Sequence, residues 1–173
     1  MARGIERLIH AGSDTISIPQ TGIQAMVKVK DKIQISVPRD DVFAYMDKPA
    51  HQAEITPSLG RSELIERLPN GGSRAAYTYS FLGVAFEGEV HATTYEPPER
   101  IVFAMQGDLE GEIAWTFHAL SAAVTRVTYA ATYDIPVPVL KKAAEAVARR
   151  YNEREVRTLL ANLKDRLETA HNA

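Results

Sequence analysis

Cysteine is absent from this 173-residue chain. Disulfides and thiolate metal sites are therefore closed to it, and a reducing cytoplasm is the default setting. No apolar run approaches the roughly 18 residues needed to span a bilayer, so stable membrane insertion is not expected. The first residues carry Arg3 and Arg7 but no apolar core of signal-peptide length. Positive charge is not in excess either: 20 Lys and Arg stand against 22 Asp and Glu, with a pI near 6.2. A nucleic-acid binder usually shows a basic footprint, which argues against nucleic acid as a partner. What remains is a chain that is 45% hydrophobic, ample for one core in one domain of a cytoplasmic protein.

Glycine and proline are also missing after Pro138, and that last stretch organises the rest. Pro136 and Pro138 suit a first helical turn, where a missing N–H costs nothing. Val137–Thr169 then runs through Ala143, Ala144, Ala146, Ala148, Leu159, Leu160, Ala161, Leu163 and Leu167, a composition that favours helix. At about 1.5 Å per residue it would be roughly 50 Å long and must lie across something broad. Leu140, Ala143, Ala144, Val147 and Tyr151 share one face; Val156, Leu159, Leu160, Leu163 and Leu167 share another, the change falling near Asn152 to Glu155. Two readings fit: a helix that seals a cavity first and a sheet edge afterwards, or a kink.

Residues 1–26 are weakly patterned, with one amphipathic turn at Ile5, Leu8 and Ile9 and a loop punctuated by Gly12, Pro19 and Gly22. They read as an arm that packs on the domain or on a partner chain, and a homodimer through this arm is one expectation. From Val27 the period is two: Val27, Val29, Ile33, Ile35 and Val37 alternate with Lys28, Lys30, Lys32, Gln34 and Ser36. That is a half-buried strand. Pro38 stops it; Asp40 and Asp41 open a short helix, and Asp47 with Pro49 opens a second that Pro57 closes. Six strand-like runs follow, at about Arg61–Leu68, Ser73–Leu82, Val84–Tyr95, Arg100–Gln106, Glu110–Leu120 and Thr125–Asp134. Their short connections make neighbours antiparallel. The expectation is an α+β fold: a curved seven-stranded antiparallel sheet around the long terminal helix, with two short helices after the first strand.

Alternation gathers the rings on one face. Tyr77, Tyr79 and Phe81 oppose Ala76, Thr78 and Ser80; Trp115 and Phe117 oppose Ala114, Thr116 and His118; Phe86 and Val90 share a face, as do Tyr129 and Tyr133. Tyrosine hydroxyls and an indole N–H on that face would need partners.

Val37-Pro38-Arg39-Asp40-Asp41-Val42-Phe43, Tyr95-Glu96-Pro97-Pro98-Glu99-Arg100-Ile101-Val102-Phe103, Trp115-Thr116-Phe117 and Thr125-Arg126-Val127-Thr128-Tyr129 carry a resemblance. With the terminal helix they resemble the START-like (SRPBCC, helix-grip) superfamily, and within it the polyketide cyclase/dehydrase and lipid-transport group. The likeness spans roughly residues 28–168, leaving 1–26 as an arm and 27–173 as a helix-grip domain. His51-Gln52-Ala53-Glu54 stands where such domains usually show an aromatic, which implies a different pocket mouth.

The resemblance implies a cavity between sheet and helix that holds a lipid, quinone or polyketide-like molecule. Tyr77, Tyr79, Phe81, Phe86, Val90, Phe103, Trp115, Phe117, Tyr129, Tyr133, Val147 and Tyr151 are its expected lining. No nucleophile–base pair, metal signature or phosphate loop is present, so no catalytic residue, metal or cofactor is assigned. Glu87, Glu89 and His91 alternate as metal ligands would, but more simply as a solvated face. His51 and Glu54 could move protons at the pocket mouth or merely solvate a loop. Arg154 could reach a ligand carboxylate or, more simply, a neighbouring Glu. The preferred function is binding or transport of a hydrophobic small molecule; an aromatase/cyclase using the same pocket is the alternative.

Overall fold

The structure, a computed structural model, describes residues 24–136 and 141–173. Strand β1 (Gln24–Ile35) leads into helices α1 (Arg39–Met46) and α2 (Pro49–Ile55). Six strands follow, β2 (Leu59–Arg67), β3 (Ser73–Phe81), β4 (Val84–Glu96), β5 (Arg100–Gly107), β6 (Glu110–Ser121) and β7 (Val124–Pro136). Helix α3 (Lys141–His171) closes the chain. All strand pairs are antiparallel, in the order β1-β7-β6-β5-β4-β3-β2. This is the α+β helix-grip architecture the sequence leads one to expect. Strand β1 begins three residues before Val27; the rest of the expected arm and the expected helix start at Val137–Leu140 lie outside the described residues.

Local chemistry sets the elements. Val27, Val29 and Ile35 are buried while Lys28, Lys30 and Lys32 are exposed, so β1 is two-faced. Helix α1 follows Pro38 with Asp40 and Asp41 in its first turn, and α2 starts on Pro49. Helices of 8 and 7 residues do not stand alone. Helix α1 leans on the sheet through Phe43, whose ring meets Phe117 edge-on at 5.5 Å and Tyr95 at 5.6 Å. Between β3 and β4, Phe81 pairs with Val84 around Leu82-Gly83, both at positive φ (48° and 81°). Those signs belong to a type I′ turn, in which Leu82 is an uncommon first residue. At the far edge β2 carries two register shifts against β3, at Leu59/Arg61 and Leu64/Glu66, and exposes Leu64 and Ile65.

Helix α3 has 31 residues, about 46 Å of rise. Its buried stripe is Ala148, Asn152, Glu155, Val156, Leu159, Leu160, Leu163 and Leu167. These positions follow one another at three- and four-residue spacing, so one face looks inward along this length. From Ala148 onward the face is continuous through Asn152 and Glu155; Leu140, Ala143 and Ala144, which carry the other expected face, lie outside the residues whose side chains are described. Two polar residues occupy core-facing positions there, and their polarity imitated a break in the apolar stripe. Val147, grouped with the inward residues by sequence, is 51% exposed, because Ala148 takes the inward place. The C-terminal half is pinned by Asn162 Nδ2 donating to the Ile55 carbonyl (2.9 Å), Lys164 Nζ to Gln34 (2.8 Å), and Ser36 N–H to Glu168 Oε1 (2.7 Å).

Candidate functional site

A cavity of about 80 Å³ lies between the concave face of the sheet and α3. A water needs roughly 10–15 Å³ of such space, so the cavity offers several waters' worth, but only about half of the roughly 150 Å³ in which a benzene ring is known to lodge. Drug-sized ligands occupy pockets of roughly 300–1,000 Å³, so anything larger requires the walls to part.

Six of the expected residues form its wall: Tyr77 and Tyr79 from β3, Val90 from β4, Trp115 from β6, and Tyr129 and Tyr133 from β7. Gln52, Thr56, Leu59, Ser62, Met105, Leu109, Ile113 and Leu159 complete it. Four expected rings, Phe81, Phe86, Phe103 and Phe117, are buried in the core outside this wall. Phe117 is spent against Phe43, and Phe81 packs edge-on against Tyr151 at 4.8 Å. Tyr151 is half-buried behind the wall, its hydroxyl 2.6 Å from Ser58 Oγ. Val147 lies on the outer side of α3 and reaches none of it. Strand geometry explains the gathering of tyrosines: residues two apart on β3 and β7 share the concave face. Gly88 makes room for one of them, since a Cβ there would sit 2.8 Å from the Tyr77 hydroxyl oxygen.

The polar side of the site comes from α3, which sequence reasoning had missed. Asn152 and Glu155 are 3% and 8% exposed. Buried groups of this kind persist only when hydrogen-bonded, and both are. Glu155 accepts from the Tyr79 hydroxyl (Oε2, 2.6 Å) and from the Ser58 N–H (Oε1, 3.1 Å). Asn152 Nδ2 donates to the Ala148 carbonyl at 2.8 Å, which fixes its amide oxygen toward the Tyr133 hydroxyl at 2.5 Å. An amide oxygen only accepts, so Tyr133 donates. The spacing from Ala148 through Asn152 to Val156 carried the missed signal, four residues at each step.

Two other donors in the wall have no partner. The Tyr77 hydroxyl and Trp115 Nε1 are fully enclosed and donate no hydrogen bond. Trp115 packs edge-on against Tyr129 at 4.8 Å. Burial pushes the Tyr77 phenol up to about 12, helped by the Asp108 carboxylate and offset in part by the Leu109 amide. Tyr79, Tyr129 and Tyr133 are raised as well, first by burial. The neighbouring Glu155 carboxylate adds to each shift, while the adjacent Tyr79 hydroxyl partly counters that of Tyr133. All four stay neutral hydroxyls at neutral pH.

The other candidates are occupied elsewhere. The His51 ring stacks on Tyr45 at 4.2 Å, and Glu54 takes the Tyr45 hydroxyl and Arg166, while Gln52 is the α2 side chain at the cavity. Glu89 is paired with Arg74 at 2.7 Å, and Arg154 is exposed on the outside of α3. Among the described residues no three His, Cys, Asp or Glu side chains gather as a metal site, and no helix is long and apolar enough to cross a membrane.

Residues 26–168 match the sequence profile of the family described as polyketide cyclase / dehydrase and lipid transport. No curated protein matches the sequence closely. Solved structures share the fold. A protein of Thermus thermophilus superposes with a TM-score of 0.73 at 18% identity, over 83% of this chain and 98% of its own. A START superfamily protein of Mycobacterium smegmatis gives 0.69 at 13%, over 83% and 98%. The Zhui aromatase/cyclase of a Streptomyces species gives 0.64 at 15%, over 83% and 94%.

Proposed function

The chain belongs to the polyketide cyclase/dehydrase and lipid transport family, and from that premise we propose that it binds a hydrophobic small molecule between sheet and α3. One observation carries this reading: an apolar cavity walled by five aromatic side chains in which two buried donors, Tyr77 and Trp115, lack partners. A cavity that served only packing would be expected to satisfy its own polar groups. Ligand pockets combine mostly apolar walls with a few placed polar groups.

The same pocket would serve an aromatase/cyclase, the activity named for the Streptomyces protein of similar fold. Binding is favoured over that reading by the raised phenols. A general base works best with a pKa near the operating pH, and these groups are displaced away from it. Neutral phenols of this kind suit holding and presenting hydrogen bonds better than accepting protons.

Trp115 is the sole tryptophan of the chain and sits in the cavity wall. Native mass spectrometry of protein purified without detergent should reveal a co-purified apolar molecule, and its removal should shift the Trp115 emission. Emission that responds to no apolar compound, with no mass retained, would sink the binding reading.

A further inference from the structure

The outer face of β1 carries a row of cations without partners. Val27 and Val29 are buried, so Lys28, Lys30 and Lys32 project from the other side of the strand, exposed and about 7 Å apart. Register adds Arg126 on β7, opposite Gln34 and two residues from the Thr128 that faces Lys32. An open groove runs among Lys30, Lys32, Arg126 and Thr128, with Asp31 in its wall. Among the described residues none of these four cations has a salt-bridge partner, whereas Arg39, Arg67, Arg74 and Arg166 do. The acids of this face, Asp134 opposite Met26 and Glu112 across β7 from Lys28, pair with none of them. Like charges gathered this way repel one another, and an anionic partner relieves the repulsion.

Guarding the border does not explain the row, because side chains already take backbone groups there. Asp31 Oδ1 accepts from the Lys32 N–H at 2.8 Å, Lys164 Nζ donates to the Gln34 carbonyl at 2.8 Å, and Glu168 accepts from the Ser36 N–H at 2.7 Å. The same contacts oppose an added strand, so a partner must read side-chain charge and not backbone. Lysine is a mobile point charge and is depleted at protein–protein interfaces, which concentrate Tyr, Trp and Arg. Around the row stand Thr128, Ala130, Thr132, Ala114 and Thr116, with no Trp, Tyr or Phe among them. Met26, 71% exposed, adds a flexible apolar side chain at the end of the row.

We propose that this outer face of β1, with Arg126, docks on an anionic lipid bilayer. Each Lys or Arg near such a surface tightens association about fivefold, so four together give several hundredfold. The docking face lies outside the cavity, and neither assignment depends on the other.

Flotation of the full chain with vesicles tests it. Phosphatidylcholine vesicles containing about one-third phosphatidylserine should hold the protein on the order of a hundredfold better than phosphatidylcholine alone. Rising salt should release it, as the Debye length shortens to about 3 Å at 1 M. The combined change Lys28→Glu, Lys30→Glu and Lys32→Glu should abolish retention. Arg150→Glu, Arg154→Glu and Arg157→Glu together reverse as many charges on the outside of α3 and should leave it intact. All six side chains are exposed, and the lipid and salt dependence is read on the unaltered protein, so the result does not rest on a variant folding. Equal retention on both kinds of vesicle overturns the proposal, as does loss in the α3 variant with none in the β1 variant. A protein that ignores both vesicles and binds polyglutamate also overturns it, and makes the partner an acidic polypeptide.

Discussion

A phenol enclosed by protein ionises late, and four such phenols share one small volume here. Their raised values give a signed expectation. An unfolded tyrosine ionises near about 10, whereas the folded Tyr77 waits until about 12. The contribution to stability is therefore complete below the unfolded value and is lost as pH rises through the folded one. In an alkaline titration, Tyr77, Tyr79, Tyr129 and Tyr133 should form phenolate only as the native circular dichroism disappears. Reversible phenolate absorbance from these four in folded protein would mean that the cavity admits hydroxide and is not dry. The same scale explains what the sequence could disclose of the site. Tyr77, Tyr79, Trp115, Tyr129 and Tyr133 were legible because a two-residue period places them on one face without knowledge of the fold. Asn152 and Glu155 were not, since a polar residue at an inward position looks like a surface residue until its buried partners are known. The four phenylalanines were legible as core but not as core away from the cavity. Which rings face a void depends on Phe43 and Tyr151 arriving from other elements.

Among elements, α3 decides the architecture, and its C-terminal half is tied to the sheet by specific contacts. Toward the C-terminus, Glu168 bridges Lys164 on its own helix and the Ser36 N–H beyond β1. These contacts, led by the Ser36 amide, hold its carboxyl below the usual range. A depressed acid lends stability above its unfolded pKa, near about 4.3, and withdraws it as pH falls through the folded value. The Ser36 amide should thus lose hydrogen-exchange protection in acid before the strands do, and Glu168→Gln should flatten that pH dependence. Protection that is unchanged by acid in both proteins would show that Glu168 does not hold the seam. The element order itself was readable because each turn is announced by its own chemistry: Pro38, Pro49, Asn70-Gly71-Gly72, Gly83 and Pro97-Pro98. The inward place of Asn152 and Glu155 on α3 was not, because their polarity hides it.

For the molecule as a whole, the sheet is a meander whose last strand must find the first. β1 pairs with β7 from Gln24–Pro136 to Ile35–Thr125, about a hundred residues apart along the chain. Loop closure of that span precedes any gain from the pairing. Stopped-flow refolding should accordingly fall in the millisecond-to-second range typical of non-local β topologies, and microsecond folding would show that β1 docking is not limiting.

Among the described residues the opposite border ends in β2, with Leu64 and Ile65 exposed beside backbone groups that no further strand pairs. A straight border of that kind would be a template on which further copies could zip into fibrils. The offsets at Leu59/Arg61 and Leu64/Glu66 break that template into pieces of a few residues, while Arg61, Glu63 and Glu66 charge it. The irregular strand is thus a poor template for edge-to-edge pairing, and straightening it by removing the two offsets should raise the tendency to aggregate, as read by light scattering at high concentration.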